Sequence, residues 1–174
     1  MGSFILLPVL AMSMPAVPQV VLSQKENIDP KIEILRAQAE TIDAYFEAYD
    51  MPLAGTGKKM AEEAEKNNID WRLLPAIAVR ESTGGKNDCN NVSHNAFGWG
   101  SCKIGFDSDD EAIEIIAKNL GGNDPKTEHH YAGKTTKEIL KKYNPPSIAP
   151  RYVPQVLSIM NAIGPKDLIV TATA

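Results

Sequence analysis

The sequence predicts a mainly α-helical domain, and three observations carry the prediction. Apolar residues recur at helical spacing in successive stretches, capping residues stand where those stretches begin, and no stretch alternates as a half-buried strand would. The only strand signal is a possible short hairpin near Ile104. A length of 174 residues suits one domain with a sizeable core. The net charge of -4, with no Lys/Arg-rich run, excludes nucleic acid as a partner, because phosphate binding needs a basic footprint.

Residues 1–28 stand apart from the rest. Phe4 to Leu22 is almost free of charge and contains the run Phe4-Ile5-Leu6-Leu7-Pro8-Val9-Leu10-Ala11, which reads as the apolar region of an export signal. No basic residue precedes the run, and a membrane anchor is the rival reading, weakened by Pro8, Pro15 and Pro18. A buried or disordered apolar tail is the third. The expected organisation is therefore signal or anchor plus linker over 1–28, a folded domain over 29–165, and a loose tail over 166–174.

Within the domain, Asp29-Pro30 supplies a cap and first turn. Leu35, Ile42, Tyr45, Phe46 and Tyr49 then mark a scaffold helix to about Asp50. The loop that follows contains Gly55-Thr56-Gly57-Lys58, which lacks both the glycine spacing and the Ser/Thr after Lys of a phosphate-cradling loop. A second helix, Lys58 to Lys66, ends at Asn67-Asn68. The next opens with Asp70 as N-cap, tolerates Pro75 near its start, and stops at Gly84-Gly85. On it Leu74, Ile77, Ala78 and Glu81 fall at i, i+3, i+4 and i+7, so Glu81 continues the apolar stripe and faces inward. An inward carboxyl at a helix C-terminus, among apolar neighbours, is expected to have a raised pKa and to suit general acid chemistry. A salt-bridged glutamate, with Arg80 or Arg72 beside it, is the structural alternative.

Downstream, Ser108-Asp109-Asp110-Glu111 reads as a capping box for a helix through Ile113, Ile116 and Leu120 to a C-capping Gly121. His129-His130-Tyr131 falls in a polar loop and is assigned no chemistry. Thr135 to Glu138 is a second capping box, opening a helix with Ile139, Leu140 and Tyr143 on one face. Val153, Val156, Leu157, Met160 and Ile163 mark the last helix.

Between Glu81 and Ser108 lies a Gly/Asn/aromatic loop bracketed by Cys89 and Cys102. A disulfide here would close a loop of about 14 residues, worth about 3 kcal/mol in the chain-entropy picture, and would suit an exported protein. Two free thiols are an alternative. So is a zinc site from Cys89, Cys102 and His94, although the usual ligand spacings are missing. Gly98 and Gly100 permit close approach or positive φ. Phe97 and Trp99 offer flat faces to sugar rings, with Phe97 equally suited to the core. Asn95 either reaches a ligand amide or forms an Asx-turn.

Glu81-Ser82 at the end of the helix AIAVRES, followed by Asn95-Ala96-Phe97-Gly98-Trp99-Gly100, resembles the lysozyme-like superfamily of bacterial cell-wall glycosidases, in its glucosaminidase and lytic-transglycosylase branches. Phe106-Asp107-Ser108 before the next helix is similar to the F-x-S step of glucosaminidases. Tyr143-Asn144 and Tyr152-Val153 are similar to the Tyr-Asn and Tyr-Val elements of transglycosylases. The resemblance covers about residues 50–163. It implies a lysozyme-like helical fold with a substrate cleft between the Glu81 helix and the loop, and cleavage of the β-1,4 bond between N-acetylmuramic acid and N-acetylglucosamine. Glu81 would be the catalytic acid, and Ser82, Asn95, Phe97, Gly98, Trp99, Tyr143 and Tyr152 would line the substrate. Peptidoglycan strands are the implied partner, with no cofactor or metal, in an exported or envelope protein. Gly98-Trp99-Gly100 stands where transglycosylases carry G-L-M-Q, which favours the glucosaminidase branch. A lytic transglycosylase and a non-catalytic glycan-binding module remain the alternatives.

Overall fold

A computed structural model of the chain describes residues 29–168. The apolar segment read as signal or anchor lies outside the described residues, among which no helix is long and apolar enough to cross a membrane. The fold is mainly helical as expected: α1 (Pro30–Ala48), α2 (Gly57–Lys66), α3 (Leu73–Ser82), α4 (Asp109–Leu120), α5 (Glu128–Tyr131), α6 (Thr136–Tyr143) and α7 (Tyr152–Ile163).

Asp29 caps α1 by accepting from the Lys31 N–H, with Pro30 in the first turn. Ala39, Ile42 and Phe46 form its buried face, but α1 ends at Ala48 and Tyr49 lies exposed just past it. The Gly55-to-Lys58 turn is filled from within the chain: Asp43 Oδ1 accepts from the N–H groups of Gly55 and Gly57, both at 2.8 Å. Those donors, which a phosphate loop would aim at its ligand, are occupied by a carboxylate of α1.

α3 is the axis of the molecule. Leu73, Leu74, Pro75, Ala76, Ile77 and Ala78 are all buried, as an all-round apolar helix must be. It packs on α7 and α2, while α2 also packs on α1 and α4. Asp70 does not cap it. The chain makes a turn first, Leu73 N–H to Asp70 C=O, and Arg72 occupies the cap position. Asp70 instead pairs with the Arg72 guanidinium at 2.8 Å, both side chains buried, and Arg72 donates onward to the Gly164 carbonyl at 3.0 Å. Trp71 Nε1 donates to the Lys166 carbonyl, and Leu168 packs on the core. The segment expected to begin a loose tail is thus tied to the entrance of α3.

At the far end of α3, Thr83 takes the left-handed conformation (φ 57°) ahead of Gly84 and Gly85. Ser108 caps α4 by accepting from the Glu111 N–H, but the Glu111 carboxylate turns to the Asp107 N–H and completes only half of the expected box. At Thr135–Glu138 the box is complete. Gly121 follows α4 with ordinary helical φ rather than the left-handed turn, which Gly122 makes. What Gly121 provides is closeness, since a Cβ there would collide with the Asn67 carbonyl at the end of α2. His129 and His130 lie on the short helix α5, not in a loop, and Tyr131 beside them is buried. No strand occurs among the described residues: the stretch at Ile104 expected as a hairpin follows a 3-10 turn, Trp99–Cys102.

Candidate functional site

The inward carboxyl predicted on α3 is where the periodicity puts it. Glu81 is half-buried on the last turn, and its Oε1 is buried with no hydrogen-bond partner. Across from it, on the first residue of α7, the buried Tyr152 hydroxyl is also without a partner. The two groups are close enough to influence each other's ionisation, although their separation or angle falls outside a formed hydrogen bond. Burial raises the pKa of Glu81 above its ordinary 4.5, and the Tyr152 hydroxyl and Arg80 charge offset only part of that rise. Burial likewise raises both Tyr143 and Tyr152, and the Glu81 charge adds to each.

The loop reaches this carboxyl through Gly98. Its φ of 64° is left-handed, and a Cβ there would stand 3.1 Å from Glu81 Oε2. Glycine is favoured on both counts, since any side chain would strain the backbone and press on the carboxylate. At this point the expected cleft is a direct contact, with the loop backbone lying on the end of α3. The surface concavity lined by Ala37, Glu40, Thr41, Ala44, Tyr45 and Ile163 shares none of the expected site residues.

Three rings form a row beside Glu81. Tyr152 and Tyr143 stack at 6.0 Å with planes 9° apart, and Tyr143 meets Trp99 at 5.7 Å. Tyr143 keeps part of its side chain exposed, while its hydroxyl donates to the Phe97 carbonyl and pins the loop to α6. Trp99 is partly exposed, as Tyr143 is, and the buried Tyr152 is not.

Other predicted substrate residues prove to be internal. Asn95 is completely buried: its amide nitrogen donates to the Trp99 and Ile104 carbonyls at 2.9 and 2.8 Å, and its Oδ1 accepts from the Trp99 N–H. Its Oδ1 is reached by an N–H four residues on rather than the two of an Asx-turn, so neither of the two readings describes it, and its polar atoms are engaged by backbone rather than turned to a ligand. Phe97 is core, 1% exposed. Ser82 is buried, donating to the Ala78 carbonyl and accepting from the Gly85 N–H, so it shapes the exit of α3.

Cys89 and Cys102 form a disulfide that closes the loop. With both sulfurs so used, the zinc reading loses two of its three ligands. His94 faces Asp109 at 3.1 Å, joining the loop to the start of α4.

Two residues take places that the sequence did not indicate, Arg80 among them, which forms no salt bridge with Glu81 among the described residues. Arg80 lies over the Tyr152 ring at 5.6 Å and donates from Nε to Gln155 Oε1 at 2.9 Å. Its position beside Glu81 reads as the solvated face of a helix, and only the distant α7 gives it a seat. Tyr131, pushed up to about 12 by burial, adds its charge to those raising Tyr143. The expected polar loop around it concealed a core residue.

No family model, curated protein or solved structure matches the chain.

Proposed function

We propose that the chain is a lysozyme-like peptidoglycan glycosidase, cleaving the β-1,4 bond between N-acetylmuramic acid and N-acetylglucosamine with Glu81 as general acid and then base. The observation that carries this reading is the buried, unpartnered Oε1 of Glu81, on a carboxyl whose pKa is raised, at a helix end beside partly exposed Trp99 and Tyr143. A carboxyl whose pKa burial raises is suited to deliver its proton to a leaving glycosidic oxygen and to recover one from the attacking group. Of the residues that carry the family resemblance, Tyr143 and Tyr152 lie close enough to Glu81 for its charge to raise their pKa values, which supports the reading. The disulfide suits an exported protein of the cell envelope.

One observation favours lytic transglycosylation as a second reading. A two-carboxylate hydrolase needs a partner for its acid, yet among the described residues no second carboxylate perturbs Glu81. Of the nearby candidates in sequence, Asp109 faces His94 and Glu111 accepts from the Asp107 N–H. A single acid fits attack by the sugar's own 6-hydroxyl, or by its N-acetyl group.

Glu81→Gln is the decisive variant. It keeps shape, removes the titrating acid, and is expected to lower release of soluble fragments from sacculi about a thousandfold while leaving sacculus binding intact. Mass analysis of the wild-type products then separates the readings: reducing ends mark a hydrolase, anhydro ends a transglycosylase, and binding without products a glycan-binding module.

A further inference from the structure

Arg80 immediately precedes the proposed acid on α3, and its side chain is exposed. Exposed arginines are ordinarily solvated and mobile, but this one is held twice by α7. Its guanidinium lies 5.6 Å from the Tyr152 ring centroid, and its Nε donates to Gln155 Oε1. Among the described residues no carboxylate forms a salt bridge with it, Glu81 included, and its Nη groups make no hydrogen bond. The site therefore presents an oriented cation with two donor groups unused, next to the reacting carboxyl. Trp99 stands at the other end of the ring row, partly exposed, so the row ends in a charge on one side and an apolar face on the other.

We infer that Arg80 is a specificity residue that binds a carboxylate carried by the glycan strand. The planar fork of a guanidinium accepts a carboxylate through paired N–H donors, a geometry that an ammonium does not reproduce. This inference rests on the glycosidase reading. Peptidoglycan offers the required group in two forms, the lactyl carboxylate of a peptide-free strand and the carboxylates of a stem peptide. An uncharged amino-sugar polymer offers neither.

The test uses the full chain and Arg80→Met, which keeps an unbranched stem over Tyr152 and removes the charge, assayed on three preparations: intact sacculi, sacculi whose carboxylates have been converted to amides, and strands stripped of peptide by an amidase. On intact sacculi, whose carboxylates belong to the stem peptide, or on stripped strands, whose carboxylates are lactyl, the variant is expected to raise KM about tenfold, with kcat compared across pH because loss of the Arg80 charge lifts the Glu81 pKa further. On amidated sacculi the wild type should fall to the variant's level, and the variant should be indifferent to amidation. A difference on stripped strands alone assigns the lactyl carboxylate, and one on intact sacculi alone assigns the stem peptide. A KM unchanged on both, or an equal loss on intact and amidated sacculi, overturns the carboxylate role and leaves the Glu81 reading standing. Failure of the wild type to cleave any preparation overturns the glycosidase reading and this inference with it.

Discussion

Glu81 costs the folded state something at neutral pH, and the sign of that cost is fixed by its surroundings. Its pKa is raised by burial, so between 4.5 and the raised value the folded chain holds a proton that the unfolded chain has released. Stability therefore declines as pH rises through that window and is not penalised below it. Glu81→Gln removes the titration. Thermal midpoints of wild type and variant should converge near pH 4 and separate toward pH 7 with the variant higher, as differential scanning calorimetry across that range can show. A residue that raised its own stability cost without a role would be a poor choice at the end of the central helix. Amide substitution at an exposed glutamate would show no such divergence.

At the scale of single elements, the segment 89–102 is held by the disulfide, by the three hydrogen bonds of Asn95 and by the Tyr143 hydroxyl. Paired Cys89→Ser and Cys102→Ser replacement is expected to lower stability by about 3 kcal/mol, measured by urea unfolding, and to raise amide exchange first within the loop. How far this element was legible in sequence is instructive. The cysteine pair, the turn-forming glycines and the inward face of α3 are local signals of spacing and conformation, and each is found where the pattern put it. The role of Asn95 is not local, because its partner carbonyl on Ile104 lies across a turn that no periodicity specifies. Phe97 had two equally good local readings, and burial chose the core. Asp70 is expected as the cap, but the helix begins after an extra turn and the Asp70 carboxylate is taken by the backbone N–H and guanidinium of Arg72, two residues on.

For the whole molecule, the acid on α3 and its aromatic neighbours on α6 and α7 come from distant parts of the chain, and the Asp70–Arg72 pair helps hold those parts in register. Arg72 is 7% exposed and reaches the Gly164 carbonyl after α7. Asp70→Ala leaves that guanidinium buried without its carboxylate, and a loss of about 3 kcal/mol is expected, read as a lower urea midpoint with activity lost in the same transition. The helical class and most helix boundaries were readable because stripes and caps are written within each segment. The seat of Arg80 and the contact of Gly98 with Glu81 were not, since both depend on how segments pack.

The stacked pair Tyr143–Tyr152 also closes the base of segment 144–151, whose Ile148 is 77% exposed. A span fastened at its root can be lengthened at its crest with little entropic penalty, since the root already keeps the two helices at their working separation. A fluorophore or affinity sequence inserted beside Ile148 would thus ride on the chain close to the ring row without prying it apart, giving a reporter that senses occupancy from just outside the reacting centre.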